Sequence, residues 1–82
     1  MKPFNLEEAK AGKSICTRNG KKARIICFDR IDNCGGNFNI VALVSMTRIS
    51  GEIYREEIYS YDNNGYNTCG SRETYMDLMM EN

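Results

Sequence analysis

Apolar positions recur along the chain at two spacings, and each spacing predicts its own element. In "FNLEEAKAG", Leu6 and Ala9 lie one helical turn apart, behind a polar residue suited to capping. Asn5 can accept from a backbone N–H of the first turn, with Glu8 three residues on. Glu7 and Glu8 sit where the helix dipole favours negative charge, and Gly12 offers a left-handed stop. So short a helix must dock on something, with Leu6, Ala9 and Phe4 as the anchors. From Ser14 to Arg30 the spacing changes to alternation around Asn19-Gly20. That dipeptide predicts a two-residue type I′ hairpin turn. It would set Arg18 opposite Lys21, Thr17 opposite Lys22, Cys16 opposite Ala23 and Ile15 opposite Arg24. Ala23, Ile25 and Cys27 would then share a face with Cys16, while Arg24, Ile26 and Phe28 occupy the other.

The remaining pattern is also one of strands and turns. "DNCGGN", Asp32 to Asn37, reads as a loop. "NIVALVSM", Asn39 to Met46, is the most apolar run and is rich in β-branched residues, which predicts a central strand covered on both faces. Ser50-Gly51 marks a turn. The next run, Glu52 to Tyr61, places Ile53, Arg55, Glu57, Tyr59 and Tyr61 on one face and Tyr54, Glu56, Ile58 and Ser60 on the other. Asn64-Gly65 predicts a further turn and a short strand from Tyr66 to Cys69. Residues 71–80 fit both periods: Tyr75, Leu78 and Met79 a helical face, Met76, Leu78 and Met80 a strand face. We read them as a strand that closes the sheet. The expected fold is a single mainly β (α+β) domain over residues 1–82. A short N-terminal helix precedes about five or six antiparallel strands, in a curled sheet or a small SH3-like barrel.

Composition narrows the class. Eighty-two residues, 41% of them hydrophobic, suit one small globular domain. No apolar run approaches the ~20 residues of a membrane-spanning helix, and no apolar core follows Lys2 as in a secretory signal. The expectation is a cytoplasmic protein, with no membrane partner and with reduced cysteines. There is no histidine, and the four cysteines form no C-x-x-C pair, so neither a metal site nor a cofactor site is expected.

The chain resembles a group of small proteins found in phages and mobile elements of gut bacteria, for which no activity is established. The resemblance rests on "KPFNLEEAKAGK", "CTRNGKKARIICFDR", "IVALV", "YSYDNNGY" and the closing "DLMM". It covers nearly the whole length and implies small size, a cytoplasmic location and a mobile-element origin. It implies no mechanism. The longer "CFDRIDNCGGNFN" loop and Cys69 depart from the pattern.

Charge is the one asymmetry. Residues 13–30 hold six basic residues against one acidic, residues 51–82 seven acidic against two basic, and the whole chain sums to zero. A basic hairpin can track a nucleic-acid backbone, but a neutral chain attracts a polyanion poorly, and the two halves can neutralise each other. Tyrosines crowd the last third, where they suit either an interface or ordinary sheet packing. Catalysis is not expected. Without histidine, a cysteine nucleophile would need a nearby cation, and Cys16, close to Arg18, Lys21 and Lys22, alternates toward the core. "NCGGN" lacks the Lys-Ser/Thr of a phosphate loop. The expected function is a small non-enzymatic module that binds a protein partner or a second copy of itself. The alternative is nucleic-acid or nucleotide binding through the basic hairpin. Arg18, Lys21, Lys22, Arg24, Tyr59 and Tyr61 form the candidate binding surface.

Overall fold

The computed structural model describes all residues except Cys34, Gly36, Cys69, Ser71 and Asn82. In chain order its elements are β1 (Lys2–Pro3), α1 (Leu6–Lys10), β2 (Ile15–Thr17), β3 (Lys22–Cys27), β4 (Ile40–Thr47), β5 (Ile53–Tyr61) and β6 (Leu78–Met80). The six strands make one antiparallel sheet in the order β1-β6-β2-β3-β4-β5. The ladder does not return from β5 to β1, so the sheet is open and the closed-barrel alternative does not form.

The helix starts and stops as its local chemistry dictates. The Asn5 side chain accepts from the Glu8 N–H at 2.9 Å. At the other end the Gly12 N–H donates to the Ala9 carbonyl and the Lys13 N–H to that of Glu8, a left-handed cap with Gly12 at φ +92°. The result is a single short helix of five residues.

Three tight turns share one backbone design. In each, the first residue's N–H reaches the carbonyl four residues on, and a glycine N–H donates back to the first carbonyl. The three are Thr17–Lys21, Arg48–Glu52 and Asp62–Tyr66, with Gly20, Gly51 and Gly65 at φ of +87°, +89° and +88°. These are three-residue loops with glycine in the left-handed position. The expected type I′ turn at Asn19-Gly20 is therefore corrected, because Asn19 does not adopt positive φ. Thr17 supplies the reason. Its hydroxyl accepts from the Lys21 N–H at 3.0 Å and donates to the Asn19 side chain, which stabilises the longer loop. Ile15 thus pairs with Ala23 and Cys16 with Lys22, one residue away from the expected register.

That slip reassigns the faces. Ile15, Thr17, Leu78, Met80, Ala23, Ile25, Val44, Ala42, Ile40, Tyr59 and Tyr61 lie on one face by pairing. Most belong to the core cluster, which Ala9 completes and which Phe4, Leu6 and Phe28 border. Cys16 falls on the opposite face from Ile15, beside Lys22 and Met79, yet it is buried between its neighbours. β4 is not covered on both sides as expected. Ile40, Ala42 and Val44 are buried, whereas Val41 and Leu43 on the second face are only half-buried. Among the described residues no second layer covers that face.

Two other expectations change. No strand follows the Asn64-Gly65 turn: Tyr66, Asn67 and Thr68 are irregular, and Cys69 lies outside the described residues. Residues 78–80 do form a strand, but it runs between β1 and β2 inside the sheet. Lys2–Pro3 supplies an edge that the residue pattern did not announce.

Candidate interaction surface

The basic residues of the first hairpin are largely occupied. Arg18 is 34% exposed and donates to the Thr74 carbonyl and to Asp77 Oδ2, each at 3.2 Å, with Glu73 at 3.7 Å. Asp77 is 1% exposed and also accepts from the Thr74 N–H at 2.8 Å and the Asn67 N–H at 3.2 Å. This buried carboxylate ties the segment before β6 to β2. Lys22 meets Glu81 at 3.4 Å. Arg24 grips Glu56 with two hydrogen bonds of 2.8 and 2.9 Å, which raise the guanidinium pKa and lower that of the carboxylate. Lys21 is half-buried and has no ion pair among the described residues. The acidic second half thus neutralises three of these four cations within the chain. The four do not converge on one patch, since Lys22 and Arg24 lie on the second face while Arg18 turns toward the segment before β6.

The two tyrosines belong to the core side. Tyr61 is fully buried and is no surface residue. Burial, with smaller contributions from Tyr59 and Asp77, drives its phenol pKa well above the ordinary value, and its hydroxyl has no hydrogen-bond partner among the described residues. Tyr59 is half-buried against the same cluster.

Cys16 and Cys27 are free thiols. Burial, reinforced by the nearby Glu81 charge, raises the Cys16 pKa, the opposite of what activates a nucleophile. Cys34, Cys69 and part of the "NCGGN" loop lie outside the described residues. Among the described residues no three metal-ligating side chains gather. No helix among them is long and apolar enough to cross a membrane.

The surface that stands out is at the far end of the sheet. β4 and β5 form the longest ladder among the described strands, in a molecule of 40 × 23 × 22 Å. Burial fades along β5 from Tyr61, fully buried, to Ile53 and Tyr54, 55% and 49% exposed. Ile58 is 71% exposed, and Ile49 at the turn is wholly in solvent. A bulge at Tyr54 interrupts the ladder between Met46↔Arg55 and Thr47↔Ile53. The Arg48 guanidinium lies 5.0 Å from the Tyr54 ring centroid and that of Arg55 6.0 Å, while Arg55 also bonds Glu57 at 2.8 Å. On the second face Leu43 lies beside Ile58, and Ile26, at the register shift of β3, is 55% exposed. Among the described residues no strand lies on the outer side of β5, so its outward backbone groups are unpaired by any of the described strands.

Residue spacing pointed to the basic hairpin and missed this one. A signal was present in "RISGE", where an isoleucine occupies a turn position usually left to polar residues. The placement of Tyr54 and Ile58 together on the second face was another.

No curated protein and no solved structure matches the chain. The family model described as Haemophilus phage HP1 protein YO09 matches residues 1–79, nearly the whole length. The chain belongs to that phage protein family.

Proposed function

We propose that this chain is a small non-enzymatic binding module, encoded by a phage or related mobile element and working in the host cytoplasm, that acts through protein contact at the β4–β5 hairpin. One observation carries the reading. A nine-residue strand with no neighbour on its outer side among the described residues carries exposed Ile53, Tyr54 and Ile58, with Ile49 exposed at the turn before it. Unpaired strand edges bind other chains by adding a strand, and exposed aromatic and aliphatic side chains supply the apolar contact. An open sheet favours edge addition over the groove of an SH3-like barrel. Nucleic-acid binding through the basic hairpin is the weaker reading, because Arg18, Lys22 and Arg24 already face carboxylates and the net charge is zero.

The test is capture of protein on the immobilised chain from nuclease-treated host lysate supplemented with untagged copies of the chain. Wild type should retain a protein that a Tyr54→Asp/Ile58→Asp variant of equal melting temperature releases. Equal retention by both, or retention only when nuclease is omitted, would overturn the reading.

A further inference from the structure

We infer that β5 pairs with β5 of a second copy of this chain, antiparallel and centred on Glu56, to extend the sheet across a two-fold axis. The inference rests on the protein-contact reading above and names its partner. Antiparallel pairing of identical strands about an axis perpendicular to the sheet must set some residue opposite its own copy, because directly opposed side chains share a face. Three centres fall in the charged stretch of β5, at Arg55, Glu56 and Glu57, and the side chains separate them.

Centring on Arg55 opposes two arginines and sets Tyr54 against Glu56. Centring on Glu57 opposes two glutamates that have no second cation and sets Glu56 against Ile58. Centring on Glu56 sets Arg55 against the copy's Glu57 and Tyr54 against the copy's Ile58, each twice by symmetry. Arg55 and Glu57 already bond within the chain at 2.8 Å, so pairing would add a second partner to each and form an alternating square of charge. The two central Glu56 side chains do not meet as bare charges, since each is held by its own Arg24 through two hydrogen bonds. Charges in an edge strand ordinarily guard it against pairing. These charges instead complement themselves in this one register. In the same register the exposed Ile58 comes toward the copy's exposed Tyr54, the residue at the bulge of β5.

The test uses the whole chain and two charge reversals, Arg55→Glu and Glu57→Arg, read by sedimentation equilibrium. Wild type should dimerise, and each variant alone should dimerise at least about tenfold more weakly, because like charges then oppose one another twice. Mixing the two variants should restore association to within about threefold of wild type, since one crossing then sets Arg55→Glu against Glu57→Arg and the other sets the unchanged Glu57 against the unchanged Arg55. The bond within each chain stays broken in that mixture, so recovery reports the contact between chains. Lys10→Glu mixed with Glu7→Lys carries the same net charges on α1 and should leave dimerisation unchanged. A wild-type monomer at all accessible concentrations would overturn the pairing, as would a mixture no tighter than its parts. If that monomer still captures a host protein through Tyr54 and Ile58, the self-pairing alone is lost. If it captures nothing, the protein-contact reading fails with it.

Discussion

The turns Asp62–Tyr66 and Arg48–Glu52 have the same backbone and opposite surroundings. Each closes with a glycine near +88°, at +88° for Gly65 and +89° for Gly51. Around Gly65 the molecule is closed. A Cβ built there would stand 2.8 Å from Phe4 Cβ, 2.9 Å from its Cγ and 3.1 Å from the Leu78 carbonyl. The Leu78 N–H donates to the Gly65 carbonyl at 2.8 Å, and the Asp62 side chain accepts from the Asn64 and Tyr66 N–H groups at 2.9 and 3.0 Å. Around Gly51 a Cβ would meet nothing within 4 Å. There Arg48 replaces the capping aspartate, and its guanidinium lies by the exposed Tyr54 ring. One turn is a brace and the other a projection. A turn design therefore says nothing about role; what packs on it decides.

The comparison breaks most severely at the braced end. Asp77→Ala should destabilise the fold by about 3 kcal/mol, since it takes one buried acceptor from the Arg18 guanidinium and leaves the Thr74 and Asn67 amides without theirs. Urea denaturation gives the number directly, and a loss under about 1 kcal/mol would remove Asp77 as the tie between β2 and the segment before β6. Next comes Gly65→Ala, at about 2 kcal/mol or more, because a tight contact with Phe4 adds to strain at positive φ. Gly51→Ala should lose only about 1 kcal/mol, the conformational part alone. Equal losses at the two glycines would erase the contrast between brace and projection. Smallest of all, Ile49→Asn should shift stability by about 0.5 kcal/mol or less, because its side chain is wholly exposed. A larger drop in melting temperature would mean that the tip belongs to the fold.

Local chemistry was legible in the residues, and coupling across the chain was not. The Asn5 cap and the Gly12 stop are contacts within a few positions, so their residue types suffice to predict them. All three turns were placed by their glycines. The register of the first was missed because Asn-Gly serves both two- and three-residue loops, and the Thr17 side chain tips the choice. One residue of slip moved Cys16 off the face of Ala23 and Ile25 and put Ile15 there instead. The even charge balance suggested mutual neutralisation, and the pairs Arg18–Asp77, Lys22–Glu81 and Arg24–Glu56 bear that out within the chain. Which cations would be spent could not be read, since each partner lies more than thirty positions away. The apolar run of β4 promised cover on both faces, but cover depends on how much chain remains to supply it. Here α1 and Phe4 serve one face only.

Amide hydrogen exchange measured over a range of protein concentrations tests the central claim most directly. If the outer edge of β5 is an interaction surface between copies, amides within Ile53–Tyr59 should exchange more slowly as concentration rises, while those of Ile15–Thr17 and Leu78–Met80 stay unchanged. Exchange along β5 that is independent of concentration, up to the highest attainable, would contradict it.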